Sequence, residues 1–316
     1  MKIVVLDGYT LNPGDLSWKE MEQLGKVEIF ERTPSFLTIS RCQEASVVVT
    51  NKVVMSAAIM EALPKLQLIV VTATGYNVVD IEAAKKKGIT VCNAPNYSTT
   101  AVAQHVFALL LALTNKVASY HQSVRNGMWE NAQDWTYSLE SIVELSGKKM
   151  GIIGLGKIGQ ATAKIALTFG MQVIAFHRHP ERDAMEGVTF VDLNTLIIQS
   201  DVISLHVPST KQTTKMVNQA FLEQMKPNSV LINTARGQLI DEPILAAALN
   251  QGKIAGAALD VLSNEPPKAN NPLLKAKNCI ITPHRAWGSM ASRQRLLNIS
   301  LENIRAYKRG RPQNVV

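Results

Sequence analysis

Three side chains with complementary chemistry follow apolar, β-branched runs in the second half of the chain: Arg236, Glu265 and His284. Ligands of open α/β sheets bind beyond the carboxyl ends of the strands, so residues at these positions are candidates for one site. A guanidinium can bind a carboxylate and polarise a carbonyl, and an imidazolium can protonate the carbonyl oxygen as a hydride arrives. A carboxylate beside the imidazole favours its protonated form. Each residue taken singly is typical of an ordinary surface ion pair, but together they predict a reductase of 2-oxo acids.

The glycine motif Gly154-Leu-Gly156-Lys-Ile-Gly159 predicts a site for a dinucleotide. It follows a strand pattern at 149–153 and opens a helix pattern at 160–169, which is the context that a phosphate-binding turn requires. The first glycine permits the tight turn, the second lets the backbone approach the pyrophosphate, and the third lets helix and strand pack closely. The N-terminus of the helix then faces the anion.

The next strand pattern, 172–176, would end in an acidic residue if the chain bound the ribose of NAD in the usual way. The chain has His177-Arg178-His179-Pro180 there instead. The lack of a carboxylate removes repulsion against a 2′-phosphate, and Arg178 supplies a cation for it. We therefore expect NADP to be favoured over NAD. In the alternative, these residues are exposed loop cations and the ribose hydroxyls bond elsewhere.

Two series of short apolar strand patterns alternate with helix patterns and predict two parallel sheets. The first series is at 2–6, 27–30, 46–49, 68–71 and 89–91, and the second is at 149–153, 172–176, 201–207, 229–233, 254–259 and 279–282. Ser56 and Asp80 are placed to cap two helices of the first series. The apolar pattern 99–124 joins the two series, and we expect this helix to be covered on all sides between two domains. A last helix pattern covers 289–308.

The composition excludes several classes of protein. The 316 residues are 46% apolar and 18% charged, which excludes a disordered chain and a coiled coil. The longest apolar stretch, 106–113, is far shorter than the roughly 20 residues of a membrane span, so no membrane partner is expected. Cys42, Cys92 and Cys279 are widely separated, which argues against a disulfide framework and against a metal site and favours the cytoplasm. No cluster in the chain has metal-ligand spacing.

The net charge of +8 raises the possibility of a nucleic-acid partner. The basic clusters, however, are not interleaved with aromatic or glycine residues. We therefore expect the charge to attract small anions and expect no nucleic-acid partner.

Six segments carry a resemblance to a known family: Ala73-Thr-Gly-Tyr-Asn-Val-Val-Asp80, Gly154 to Gly159, Leu205-His-Val-Pro208, Asn233-Thr-Ala-Arg-Gly237, Ala258-Leu-Asp-Val261 with Glu265-Pro266, and Thr282-Pro-His284. Over essentially its whole length the chain resembles the D-isomer-specific 2-hydroxyacid dehydrogenases. Three further segments resemble the glycerate dehydrogenase or hydroxypyruvate reductase branch: Thr50-Asn-Lys52, Tyr97-Ser-Thr99 and Ala286-Trp287.

The resemblance implies an α/β fold of two doubly wound parallel-sheet domains. Residues 1–98 and 286–316 would form a flavodoxin-like substrate domain, and residues 99–285 would form a Rossmann domain that binds NAD(P). The resemblance also implies a homodimer.

The resemblance further implies roles for individual residues. Arg236 would bind the substrate, Glu265 would partner the histidine, and His284 would donate the proton. The cofactor would be bound by Thr99, Gly154, Gly156, Lys157, Ile158, Gly159, His177, Arg178, His206, Val207, Pro208, Thr234, Ala235, Arg236, Asp260 and His284. The substrate would be bound by Asn51, Lys52, Thr74, Gly75, Arg236, His284 and Trp287. Asp260 would lie beside the nicotinamide amide, whereas His105 is expected to be a packing residue.

These inferences predict a reductase that converts hydroxypyruvate or glyoxylate to D-glycerate or glycolate with NAD(P)H. Two alternatives within the class are D-lactate and a phosphoglycerate-type hydroxy acid. An alternative from another class is a nucleotide-sensing corepressor on the same fold, which would retain the same motifs. Turnover with a panel of oxo acids distinguishes these alternatives.

Overall fold

The computed structural model describes every residue from Met1 to Val316. Its strands are β1 Lys2–Val5, β2 Lys26–Ile29, β3 Val47–Thr50, β4 Leu68–Val71, β5 Thr90–Cys92, β6 Lys149–Ile153, β7 Gln172–Phe176, β8 Val188–Phe190, β9 Val202–Leu205, β10 Val230–Asn233, β11 Gly256–Leu259 and β12 Cys279–Ile281. Its α-helices are α1 Gly8–Leu11, α2 Lys19–Glu22, α3 Thr38–Cys42, α4 Ala57–Glu61, α5 Ile81–Lys86, α6 Thr99–Asn115, α7 Val117–Arg125, α8 Lys157–Thr168, α9 Leu193–Gln199, α10 Gln219–Gln224, α11 Glu242–Asn250 and α12 Met290–Lys308. Short 3-10 turns occur at Ser35–Leu37, Gly237–Leu239 and Pro272–Lys275.

The chain divides into two compact units. The first comprises Met1–Ser98 and Trp287–Val316, and the second comprises Thr99–Ala286. Each has its own parallel sheet with buried apolar residues on both faces, as expected for strands that helices cover on two sides. The predicted α/β fold of two parallel-sheet domains is confirmed.

The first unit has the strand order β2-β1-β3-β4-β5. One face packs against the apolar side of α12, and the other packs against residues of α4 and α5. Ser56 and Asp80 cap α4 and α5, because their side chains accept hydrogen bonds from the N–H groups of Ile59 and Ala83. The strand order reverses between β1 and β3, and a crevice for ligands is expected at such a point.

The second unit has the strand order β12-β11-β10-β9-β6-β7-β8, which is the Rossmann order with one additional strand. The order reverses between β6 and β9. All of its paired strands are parallel, so the ends of β6, β7, β9, β10, β11 and β12 meet along one edge of the sheet.

The segment between the two predicted series differs from the prediction. The helix 99–124 is broken at Lys116, whose φ of 53° is left-handed, and the axes of α6 and α7 meet at 55°. One face of α6 is buried, whereas Gln104, Ala108 and Ala112, spaced four residues apart, form an exposed stripe. The expectation that this helix is covered on all sides is therefore wrong.

No single helix is long and apolar enough to cross a membrane. The bent pair α6–α7 reaches the length and apolar composition of a membrane span only when its two helices are counted together.

Strand β8 was not predicted. It has only three residues, Val188-Thr-Phe190, and pairs with β7 alone at the edge of the sheet. A run this short carries too little periodicity to be distinguished from a loop.

Candidate active site

The loop after β12 holds His284 in an unusual backbone conformation. His284 has a φ of 54°, in the left-handed region that non-glycine residues rarely adopt. Its N–H donates to the carbonyl oxygens of Asp260 (2.8 Å) and Thr282 (2.9 Å). Such a conformation persists only where surrounding contacts impose it, and it is concentrated at functional sites.

The side chain of Asp260 supplies those contacts. It is 1% exposed, and it accepts hydrogen bonds from the Thr282 hydroxyl (2.5 Å) and from the backbone N–H groups of Arg285 and Ala286 (2.8 Å each). Burial alone would raise the pKa of Asp260, but hydrogen bonds from His105, Thr282 and the backbone outweigh it and lower the pKa. Both carboxylate oxygens are thus engaged by the loop around His284. Asp260 thereby holds the loop of His284 in place, and its contact with the nicotinamide amide stays a prediction.

His105 lies behind the same loop. Its Nε2 is 3.0 Å from the Thr282 hydroxyl and 3.4 Å from Asp260 Oδ1. The side chain therefore joins α6 to the loop of His284 by polar contacts, which apolar packing alone would not provide.

Glu265 and His284 form a close pair. His284 Nδ1 lies 2.6 Å from Glu265 Oε2, and Glu265 Oε1 accepts from the N–H of Leu262 (3.0 Å). The two side chains are 28% and 33% exposed. Because Nδ1 faces the carboxylate, Nε2 is the nitrogen left to exchange a proton with a ligand.

A tight turn after β10 presents Arg236. The buried amide of Asn233 closes this turn by donating to the carbonyl of Arg236 (2.8 Å) and accepting from the N–H of Ala235 (3.0 Å). Arg236 Nη1 donates to the Ala235 carbonyl (2.7 Å), and its other guanidinium N–H groups make no hydrogen bond in the protein. Those groups are available to a carboxylate or carbonyl.

Gly237 couples this turn to the loop of Glu265. A Cβ at Gly237 would lie 1.9 Å from the carbonyl carbon of Leu262 and 2.3 Å from the backbone nitrogen of Ser263. No side chain fits there, so the two backbones can approach closely only because residue 237 is glycine.

A pocket of about 180 Å³ opens beside Arg236. It is lined by Val102, Ile158, His206, Val207, Pro208, Thr234, Ala235 and Arg236. Burial lowers the pKa of His206 to about 4, so this imidazole is neutral at physiological pH. The hydroxyl oxygen of Thr234 is buried without a hydrogen-bond partner, which indicates a polar ligand, because buried hydroxyls are normally bonded.

The glycine motif adjoins this pocket and has the predicted shape. Gly154 has a φ of 98°, and a Cβ there would lie 2.8 Å from the His206 carbonyl oxygen. A Cβ at Gly159 would lie 2.2 Å from the Gly154 carbonyl oxygen. A Cβ at Gly156, the N-cap of α8, would have no other atom within 4 Å. The open space lies at the N-terminus of α8, where phosphate binding is favoured, so these residues fit a dinucleotide.

The end of β7 does have an acidic neighbour, contrary to the prediction. His177 Nδ1 accepts from the Leu155 N–H (3.0 Å), and His177 Nε2 lies 2.6 Å from Asp183 Oδ2. Arg178 is exposed, and none of the ion pairs in this loop involves it. Asp183 was missed because it follows the strand by seven residues, and only the folding of the loop brings it back.

In the first unit, Asp7 organises the loop after β3. Its carboxylate accepts from the backbone N–H groups of Asn51 (2.8 Å), Lys52 (2.6 Å) and Val53 (3.3 Å). Burial raises the pKa of Asp7 in spite of these bonds. Asn51 is 4% exposed, and its amide donates to the Thr72 carbonyl (2.5 Å), so this side chain supports the loop, whereas Lys52 is exposed.

The remaining predicted substrate residues of this unit lie on other loops. The Thr74 hydroxyl donates to the Ala94 carbonyl (2.9 Å), although the residue is exposed. Gly75 is half-buried beside it. Trp287 packs edge-on against Tyr97, with ring centroids 6.1 Å apart, so its ring belongs in part to the apolar core.

Comparison with known protein families identifies the family of this chain. Residues 107–286 match the family model described as the NAD binding domain of D-isomer specific 2-hydroxyacid dehydrogenases. The chain belongs to this family. It is therefore an oxidoreductase that transfers hydride between a nicotinamide dinucleotide and small 2-oxo acids, as the sequence predicted.

Full-length relatives of this dehydrogenase agree with the family model. The chain is 48% identical to hydroxypyruvate reductase of Blautia hydrogenotrophica, covering 100% of the chain and 99% of the relative. It is 42% identical to glycerate dehydrogenase of Methylorubrum extorquens, with coverages of 100% and 98%. A solved acyclic imino acid reductase in complex with NADPH and D-Arg superposes with a TM-score of 0.87 at 34% identity, covering both chains fully. The predicted branch of the family is confirmed by the first two relatives.

Proposed function

We propose that the dehydrogenase reduces hydroxypyruvate or glyoxylate to D-glycerate or glycolate. The observation that carries the proposal is the 2.6 Å pair of Glu265 and His284, on the same sheet edge as the available N–H groups of Arg236. The names of the full-length relatives, hydroxypyruvate reductase and glycerate dehydrogenase, support this substrate class.

Each of the three residues has a distinct role in this proposal. Arg236 binds the substrate carboxylate and polarises its carbonyl with two forked N–H groups. His284 donates a proton from Nε2 to the carbonyl oxygen, and Glu265 orients the imidazole through its contact with Nδ1. The bound nicotinamide supplies the hydride. In the first unit, we assign Lys52, Thr74 and Gly75 to the substrate carboxylate and Trp287 to the substrate side chain. We keep Asn51 among the substrate-binding residues, next to Lys52 in the loop that it supports.

A steady-state screen tests the function. Hydroxypyruvate, glyoxylate and pyruvate are each assayed with NADH and with NADPH, and the values of kcat/KM are compared. We expect hydroxypyruvate or glyoxylate to give the highest value. A highest value with pyruvate would favour a D-lactate dehydrogenase, and no turnover with any oxo acid would favour the corepressor.

Replacing Glu265 by Gln tests the pair. The amide keeps the size of the side chain but lacks the negative charge that the carboxylate places beside His284 Nδ1, so we expect kcat to fall by about 10²-fold. The matched control is Glu242→Gln, which changes a buried carboxylate that accepts from the Ser263 N–H in the same loop but is not paired with His284. The control should lower kcat far less. An equal loss in Glu242→Gln would mean that Glu265 only stabilises its loop.

We also propose that NADPH is the preferred cofactor. The exposed guanidinium of Arg178 supports this proposal, as does the NADPH in the solved relative. Arg178→Ala should lower kcat/KM for NADPH by about tenfold or more and leave that for NADH nearly unchanged, since one charge-assisted hydrogen bond contributes about 1.5–3 kcal/mol. The control is Lys164→Ala, which removes an exposed cation from α8. Equal changes with both cofactors would make Arg178 an ordinary loop cation.

The residues bound to the cofactor are proposed on the same basis. The pocket beside Arg236 and the open space at Gly156 support contacts from Ile158, His206, Val207, Pro208, Thr234 and Ala235. Lys157 lies in the first turn of α8 and Thr99 at the start of α6, and we assign both to the same cofactor.

We further propose that the enzyme is a homodimer in the cytoplasm. Large apolar side chains are concentrated between residues 117 and 143 and are exposed there, including Val117 (66%), Trp129 (55%), Trp135 (87%) and Ile142 (62%). An exposed apolar surface of this kind is typical of a protein interface. Three unpaired cysteines support a reducing compartment. Sedimentation equilibrium tests the oligomeric state.

A further inference from the structure

A carboxylate is tied to the glycine motif through one imidazole. Asp183 Oδ2 accepts from Arg182 Nε (3.1 Å) and Nη2 (2.5 Å), and it lies 2.6 Å from His177 Nε2. His177 Nδ1 accepts from the N–H of Leu155, so the ring hydrogen must be on Nε2, where it is donated to Asp183. The imidazole thus fixes the carboxylate relative to the middle of the motif.

The carboxylate is charged and keeps one oxygen available. Hydrogen bonds from Arg182 and then from His177 lower the pKa of Asp183 to about 2. All three hydrogen bonds reach Oδ2 and none reaches Oδ1, while the side chain is 17% exposed. Oδ1 can therefore accept a hydrogen bond from a ligand hydroxyl and repel a ligand anion.

The register of β6 and β7 places His177, and Asp183 bonded to it, at the strand end where a dinucleotide is expected to bind. Ile153 of β6 lies opposite Phe176 of β7, and the Gly154 N–H donates to the Phe176 carbonyl (2.9 Å). His177 therefore starts the loop where the glycine motif starts. In this fold a carboxylate at the end of the second strand binds the ribose of the adenosine.

We propose that Asp183, held by His177, is a specificity-determining residue that accepts from the 2′-hydroxyl of NADH and opposes the 2′-phosphate of NADPH. The proposal rests on the cofactor site of the proposed function and deepens it. Arg178 attracts the 2′-phosphate from the same loop, and Arg182 offsets part of the charge of Asp183, so the preference for NADPH is the balance of these opposing charges. The enzyme thereby uses both cofactors.

Asp183→Asn removes the negative charge of Asp183 and leaves the positive charge of Arg178, without changing the size of the side chain. The probes are adenosine 2′,5′-bisphosphate and AMP, which differ only in the 2′-phosphate, and their binding is measured by calorimetry on the full chain. We expect the ratio of the two dissociation constants to shift about tenfold in favour of the bisphosphate, because a repulsive charge at contact distance is removed. The ratio of kcat/KM for NADPH and NADH should shift by the same factor.

The matched control is Glu181→Gln, which removes a charge from the same loop, where Glu181 is paired only with His179 at 3.7 Å. The proposal is overturned if Asp183→Asn leaves the ratio unchanged or if Glu181→Gln shifts it equally. A second variant, His177→Asn, keeps an acceptor for the Leu155 N–H but removes the imidazole bond to Asp183, which Arg182 alone then holds, and it should shift the ratio in the same direction by less. No shift in this variant also contradicts the proposal. Failure of oxo-acid reduction would overturn the proposed function but would leave these nucleotide ratios unaffected, so the two failures are distinguishable.

Discussion

His284→Asn should lower kcat by about 10²–10⁴-fold, which is the usual contribution of a general acid. Asparagine is the appropriate replacement because residue 284 has a φ of 54°, and Asn tolerates left-handed backbone better than Ala. The amide cannot deliver a proton to the carbonyl oxygen, so the loss should fall on kcat and not on cofactor affinity. The rate of reduction is measured by single-turnover reduction of hydroxypyruvate. The affinity for the cofactor is measured by the quenching of tryptophan fluorescence with NADPH.

A matched variant separates chemistry from loop structure. His105→Asn removes an imidazole that contacts Thr282 and Asp260 behind the same loop but has no place in the proposed proton transfer. It should change kcat far less than the change at residue 284. Near-normal turnover of His284→Asn would remove His284 from the chemistry.

Arg236→Lys should lower kcat/KM by about 10²-fold or more and should raise KM as well as reduce kcat. An ammonium keeps the charge but cannot form two parallel hydrogen bonds to a carboxylate and a carbonyl, and each such charge-assisted bond contributes about 1.5–3 kcal/mol. The control is Arg311→Lys, an exposed residue after α12, which should leave the kinetics unchanged. Initial rates over a range of hydroxypyruvate concentrations provide the test, and wild-type values in Arg236→Lys would exclude a forked contact with substrate.

The sequence predicts most of the fold because its strands are buried on both faces. Runs such as 68–71 are continuously apolar and end at polar residues, so their periodicity and length leave little ambiguity. Ser56 and Asp80 cap their helices as expected, since the capping side chain and the helix start lie within three residues of each other. The break at Lys116 was missed, because a left-handed lysine carries no local signal.

Part of the candidate site could be predicted from local sequence patterns, and part of it depends on contacts between residues that are distant in sequence. The glycine motif and the order Arg236, Glu265, His284 are local patterns, and the structure puts Glu265 and His284 within hydrogen-bond distance. The contacts of Asp260 with the His284 loop, and of Asp183 with His177, join residues whose spacing carries no periodic signal. They depend on how particular loops fold back, which is set by tertiary packing.

No side chain fits at residue 237, and this limits how the enzyme can be redesigned. The backbone beside Arg236 and the backbone leading to Glu265 touch where any Cβ would collide. Grafting one of these loops from a related enzyme would therefore misplace the other, unless both were exchanged together. Attempts to widen the substrate range by randomising the chain around residue 237 should recover glycine at that position and succeed only in libraries that vary segments 234–238 and 261–265 as a single block.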